Sequence, residues 1–317
     1  MTSKRRIGVK DSLAVLGLIV ASTTLAQDMP TGAPNQQATL EWLSMPSDVA
    51  VGKGNNIYVV NGGNHQVAVF DATGSRTATL GEMGSSVGQF TSPLGIGISS
   101  KGEVWVADKG NNQLVMFNAK GKFRRNVPLE EEGDDVVPVD VAVGPKGKEL
   151  FVTANNSHKV LVFSTKGELL RSWGGEGEDD GQFRFPATID IDAAGNVYVV
   201  DVLNARVQKF DAAGTHLLTI GSLGGKAGTF FRPKGVAVDA GGSIYVSDSF
   251  LGVIQVFNPA GEFQYVIGED GEATVFKTPV GMAANGSRLY VTQMLAGNVL
   301  VLEPQAPPPP PAEEAAE

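Results

Sequence analysis

The sequence predicts an all-β fold, a six-bladed β-propeller of four-stranded antiparallel blades whose ring is closed by the N-terminal strand pairing with the last blade. Three observations predict it. A Pro opens an apolar run six times, at Pro46, Pro93, Pro138, Pro186, Pro233 and Pro279, with spacings of 47, 45, 48, 47 and 46. Each run is followed by a turn, a second apolar run, and a six-residue step to a third run, constant in all six copies. The sixth copy stops after its third run (NVLVLEP), and one unpaired apolar stretch, ATLEWLS at 38–44, stands ahead of the first.

The first runs are PSDVAV, PLGIGI, PVDVAV, PATIDI, PKGVAV and PVGMAA; the second are NIYVV, EVWVA, ELFVT, NVYVV, SIYVS and RLYVT. The third run ends in Phe in five copies, with a turn Gly four positions on, and a fourth run follows. Four short strands per unit at a period near 46 spell a propeller blade. A lone four-stranded sheet has two apolar faces and covers neither, so it must stack on neighbours, and a ring leaves no terminal face bare. Residues 38–44 then supply the fourth strand of the sixth blade, which makes 38–303 one domain.

The flanks read differently. Lys4, Arg5 and Arg6 precede the apolar stretch 13–21, and Thr24-Leu25-Ala26 is a cleavage-like site, so 1–26 is expected to be a signal peptide and the protein exported, periplasmic or secreted. The apolar stretch is shorter than the roughly 20 residues of a membrane span. Residues 27–37 are expected to be a linker, and 304–317, with five consecutive prolines and an acidic end, a disordered tail. The chain carries a net charge of −9; without 1–26, which holds four cations and one anion, it carries −12, the wrong sign for a nucleic-acid partner. With no Cys there are no disulfides, thiolate metal sites or attached c-type haem.

The repeat P-x-G-[IV]-A-V-D, a Gly turn, [IV]-Y-V-x-D, then N-x-R-V-x-x-F resembles the NHL repeat, best at 233–248 and 196–214. The resemblance extends over about 38–303 and implies a six-bladed propeller; it does not choose a function, because propellers host many. The Asp that ends the second run (Asp108, Asp201, Asp248) is expected to accept backbone hydrogen bonds from the next loop; blade 3 has Ala154 there. The aromatic residues of the second runs are expected to pack between blades.

In such a ring the loops joining strands 2–3 and 4–1 share an upper face. The 4–1 loops hold EEEGDD (130–135), GEGEDD (175–180) and GEDGE (268–272), whereas lysines from Lys53 to Lys166 fill the lower turns of blades 1–3, so an acidic top is expected. Two residues depart from the repeat near the upper mouth of the axial channel: Asp48 and Asp140 stand where Gly is usual, and blade 4 has Thr188. Blades 1 and 3 also carry His65 and His158 at equivalent loop positions. These five residues are the candidate ligand site, with Asp48 and Asp140 as candidates for Ca²⁺, the alternative being that each Asp caps its own turn. Zinc is not expected. The peptidyl-hydroxyglycine amidating lyases, with a similar propeller, use three converging histidines, whereas His216 falls on the opposite face from His65 and His158. No catalytic residue is assigned. The reading is a scaffold that binds a protein, peptide or cell-envelope ligand through its upper face; the alternative is a Ca²⁺-assisted lyase or lactonase at the channel mouth.

Overall fold

The computed structural model describes residues 30–269 and 271–307; the expected signal peptide and the tail from 308 onward lie outside the described residues. Six four-stranded antiparallel sheets follow one another along the chain. Their first strands are Pro46–Val51, Pro93–Ile98, Pro138–Val143, Pro186–Ile191, Pro233–Val238 and Pro279–Asn285. These six innermost strands surround the axis. The Pro begins each one because a residue without an N–H is tolerated at a strand's start.

Apolar alternation places one core in each gap between neighbouring blades. The second-strand aromatic of each blade enters the gap ahead of it: Tyr58, Trp105, Phe151, Tyr198, Tyr245 and Tyr290 are all buried, one in each core. Phe90, Phe183 and Phe230, which precede their blades in the G-[QT]-F phrase, are also fully buried. The turn glycines after the third strand, Gly74, Gly121, Gly167, Gly214 and Gly261, all have positive φ, which a side chain rarely adopts.

The ring closes as the sequence implies. Gln36–Leu40 forms the outer strand of the sixth blade, antiparallel to Asn298–Leu302, with Leu40 opposite Val299 and Ala38 opposite Val301. The preceding segment, expected to be only a linker, adds a second fastening. Thr31–Gly32 runs parallel to the outer strand of blade 5, Phe263–Glu269, with Thr31 opposite Val266 and Gly32 opposite Ile267. Gly32 is held so closely that a Cβ there would meet the Gln305 carbonyl and the Tyr265 ring. Past the last blade, the Gln305 and Glu303 amides donate to the Ala33 and Asn35 carbonyls.

The Asp that ends the second strand binds a loop, though not the next one. Asp108 accepts from the Thr91 and Ser92 amides, Asp201 from Arg184, and Asp248 from Phe231 and Arg232, all in the 4–1 connection that precedes the blade. Only Asp248 also takes amides of its own following turn, Phe250 and Leu251. In blade 3, where Ala154 cannot accept, the side chain of Asn156 takes the Val137 amide (3.1 Å). One anchor per blade thus ties each 4–1 connection to the blade it enters.

Candidate functional site

The first strands meet at the axis with one edge unpaired, so their inward amides need acceptors. Polar side chains of the neighbouring first strand supply them. Ile96 N–H donates to Asp48 Oδ2 (2.9 Å), Ile189 N–H to Asp140 Oδ2 (2.9 Å), Val236 N–H to Thr188 Oγ1 (3.2 Å) and Val238 N–H to Asp190 Oδ2 (2.8 Å). Each bond crosses from one blade to the next. Asp48 and Asp140 therefore do more than cap their own turns, although Asp140 Oδ1 also accepts from Val141 (2.7 Å).

Tier by tier, the third position of the six first strands holds Asp48, Gly95, Asp140, Thr188, Gly235 and Gly281. A Cβ at Gly95 would fall on the Asp140 carboxyl, and one at Gly281 on that of Asp48, so the glycines make room for the acids. The Asp48 and Asp140 carboxyls flank Gly95 of blade 2, close enough that the charge of one disfavours ionisation of the other. Burial, and then the charge of Asp140, raises Asp48 well above the ordinary carboxylate range, while burial pushes Asp140 up to about 6.

Two tiers deeper lies an acid that the sequence reading missed. The fifth position is Ala50, Gly97, Ala142, Asp190, Ala237 and Ala283, so Asp190 replaces a small residue in a channel lining. Burial pushes it up to about 7, against the pull of two backbone amides. Comparing the six copies position by position, rather than at the third position alone, would have singled it out. The channel of about 260 Å³ thus contains three acids and Thr188 in a wall that is otherwise mostly Val, Ile and Ala.

These acids make stability depend on pH. An unfolded Asp titrates near 3.9. The folded chain holds its protons to higher pH, so the stabilisation is complete below about pH 4 and is lost as pH rises through the folded values near 6 and 7. Thermal melts should therefore show Tm falling from pH 5 to pH 8. Asp190→Asn should raise Tm at pH 8 by about 2–4 °C, the shift that ~1 kcal/mol produces in a domain of roughly this size. A variant melting no higher than the parent at pH 8 would contradict the assignment.

Above the channel opens a basin of about 610 Å³. Its floor is the second position of the first strands (Ser47, Leu94, Val139, Ala187, Lys234, Val280), and its wall includes Phe185, Val202, Leu203, Met294 and Arg232. Asp140 and Thr188 border both basin and channel. Of the five predicted site residues, the structure brings Asp48, Asp140 and Thr188 together at the axis, and neither histidine lines basin or channel. His65 and His158 do occupy equivalent positions, both left-handed turn ends with φ near +53° and +54°. That conformation aims His158 at its own 4–1 connection, where Nδ1 accepts from the Phe185 amide (3.1 Å) and the ring meets the Phe185 ring edge-on. His216 is taken up elsewhere, against Thr219 (2.9 Å) and the Phe210 ring.

As a cation site the pair fits poorly. Calcium takes six to eight oxygens, whereas here each carboxyl is bound to a backbone amide, burial disfavours the charged form of both, and the Thr188 hydroxyl donates to the Lys234 carbonyl (2.8 Å). Among the described residues no three carboxylate or imidazole groups converge. Gly84-Ser85-Ser86-Val87-Gly88 matches the letters of a nucleophile elbow, G-x-S-x-G, but it lies in a 4–1 loop with no strand-to-helix turn.

The upper connections carry the rest of the surface signal. Of the fourteen exposed large apolar side chains among the described residues, eleven lie on 4–1 or 2–3 connections and the other three, Leu169, Leu170 and Leu217, on outer strands. The lower turns have none and in blades 1–3 hold seven lysines, from Lys53 to Lys166. The acidic 4–1 loops are where they were expected, yet several of their carboxylates are already paired: Glu131 with Lys159, Glu178 with Arg184, Asp180 with Arg206. Around the basin the unpaired charge is positive, from Arg232 and Lys234, so the mouth is not acidic as the loop composition implied.

Comparison with known proteins agrees with this architecture. The NHL repeat matches at residues 43–70 and 90–117, and a family described as a 6-bladed beta-propeller matches at 142–223. No curated protein matches the chain. Among solved structures, a gluconolactonase from Xanthomonas campestris is 14% identical with a TM-score of 0.66, covering 87% of this chain and 97% of that one. A catalytically inactive virginiamycin B lyase from Staphylococcus aureus with quinupristin is 16% identical with a TM-score of 0.61, covering 88% of this chain and 90% of that one. Hydrazine synthase from Kuenenia stuttgartiensis is 13% identical with a TM-score of 0.57, covering 82% and 96%. At such identities the likeness is one of fold. The chain carries NHL repeats in its first two blades and folds as a six-bladed β-propeller closed by its own N-terminal strand.

Proposed function

We propose that this propeller is a binding module that receives its ligand in the basin at the upper mouth of the channel. The observation that carries the reading is the one-sided distribution of exposed apolar side chains. Large exposed apolar patches mark binding surfaces, and two of these side chains, Phe185 and Leu203, line a cavity of ligand size on the same face. Phe185 and Leu203 form its apolar rim, and Phe231 packs on Phe250 at the adjoining connection (centroids 5.5 Å apart). The basic and apolar stretch within residues 1–26 supports an exported protein whose partner is a peptide or cell-envelope component.

A thermal-shift panel of peptides and small organic molecules tests this. A true ligand raises Tm with concentration, and Phe185→Ser with Leu203→Ser should remove most of that gain. A gain undiminished in the double variant would place binding elsewhere and end the reading.

One observation favours a second reading, a lyase- or lactonase-type activity at the same mouth. Asp140 borders the basin beside Asp48, and burial raises both carboxyls above their ordinary range, as suits a general acid. If turnover of a lactone or cyclic ester is found, Asp140→Asn should abolish it while leaving binding in place.

A further inference from the structure

Arg232 and Lys234 flank Pro233 at the entry to blade 5, and both side chains line the basin. Their backbones are fixed. The Arg232 amide donates to Asp248 (3.1 Å), its carbonyl accepts from Ser249, and the Lys234 carbonyl accepts from Thr188. Their charges are not matched. None of the ion pairs or side-chain hydrogen bonds among the described residues involves either cation. The one acid on the basin wall, Asp140, is turned to the channel, where the Ile189 and Val141 amides occupy it. Two cations therefore stand side by side, without an ion-pair partner, in a cavity whose apolar wall is Leu94, Val202, Leu203, Phe185 and Met294 and whose polar lining is the uncharged Ser47, Asn155, Thr188, Ser249 and Thr278 with Asp140.

Arg232 is exposed and Lys234 half-buried, so the cost of the unpaired charge falls on Lys234. Burial and the neighbouring Arg232 both hold the Lys234 ammonium below its ordinary range. At the equivalent positions the other blades have no such pair: Met45 and Ser47, Ser92 and Leu94, Val137 and Val139, Phe185 and Ala187, Thr278 and Val280. The repeat does not require a charge here, so the charges belong to the site and not to the blade.

We infer that the basin takes an apolar organic anion, its carboxylate or similar oxyanion held between Arg232 and Lys234 and its hydrocarbon or aromatic body laid against Phe185, Leu203 and Met294. The guanidinium offers a planar fork that matches a carboxylate, and the ammonium adds a mobile donor. The basin volume suits one molecule of ordinary ligand size. This rests on the reading of the basin as the binding site and supplies the chemistry of its occupant.

The test titrates the full chain by calorimetry with 6-phenylhexanoate, its neutral amide, and butyrate, which lacks the apolar body. The expected result is saturable binding of one 6-phenylhexanoate, with the amide and butyrate each at least about tenfold weaker, the loss associated with one charged hydrogen bond or one apolar anchor. Arg232→Gln and Lys234→Met, checked by thermal melts for intact folding, should each weaken the acid about tenfold and leave the amide unchanged. If acid and amide bind equally, or the charge variants bind the acid like the parent, the anion inference is overturned while the basin reading survives. If Phe185→Ser with Leu203→Ser also leaves binding untouched, or no binding occurs, both are overturned.

Discussion

Replacing Asp201 by Ala should cost about 3–5 kcal/mol of stability, the penalty for stranding a buried charge. Asp201 is fully buried at the end of the second strand of blade 4. Its carboxylate accepts from the Arg184 amide (2.7 Å), Asn204 Nδ2 (2.8 Å), Arg206 Nε (2.9 Å) and Gln208 Nε2 (3.2 Å). Arg206 is itself buried and donates onward to the Asp179 and Gln182 carbonyls (2.8 and 3.0 Å). Removing the acid leaves the guanidinium with two backbone carbonyls and the exposed, more distant Asp180 (3.8 Å), and frees the 4–1 connection that carries Phe185. Denaturant melts of D201A should show a lower midpoint with little change in slope. Asp201→Asn should lose less, because it keeps an acceptor for the amide. A D201A midpoint within error of the parent would refute the anchoring role of this Asp.

The second large effect belongs to the seam. Leu40 is almost fully buried in the core between the sixth and first blades, opposite Val299. Leu40→Ala should destabilise by about 2–5 kcal/mol, the range for a buried Leu reduced to Ala. The loss should exceed that of an Ala substitution at Thr39, which projects to the other side of the same strand and is less buried. Equal losses at the two positions would mean that the outer strand does not pack as described.

How much of this was legible beforehand depended on distance along the chain. The strand runs, the six-residue step and the Gly turns are local, and each copy corroborates the others, so six blades and the closing strand followed from the letters alone. The path of Thr31–Gly32 did not, because a two-residue parallel pairing has no periodicity to detect. Asp48, Asp140 and Thr188 were found because they break the repeat at a Gly. Asp190 breaks it at an Ala and was overlooked, although the same comparison would have revealed it. Equivalence of His65 and His158 was read correctly, but the left-handed turn directs them away from the axis, and backbone handedness is not visible in residue identity. The character of the mouth was misjudged for a related reason. Loop acids were counted wherever they occur, while the basin samples only the residues on either side of each Pro, and in blade 5 those are Arg232 and Lys234.

The seam joins residues 36–40 to residues 298–302, segments separated by almost the whole propeller. During synthesis the first of these must wait, unpaired, until the ribosome has delivered the second. Such remote pairing slows folding and prolongs the life of a sticky open intermediate. Delayed maturation is the natural outcome, and joining the two ends while opening the chain in a 4–1 connection, so that every blade is built from consecutive strands, should yield a permuted protein whose refolding, followed by stopped-flow fluorescence, is faster than the original's.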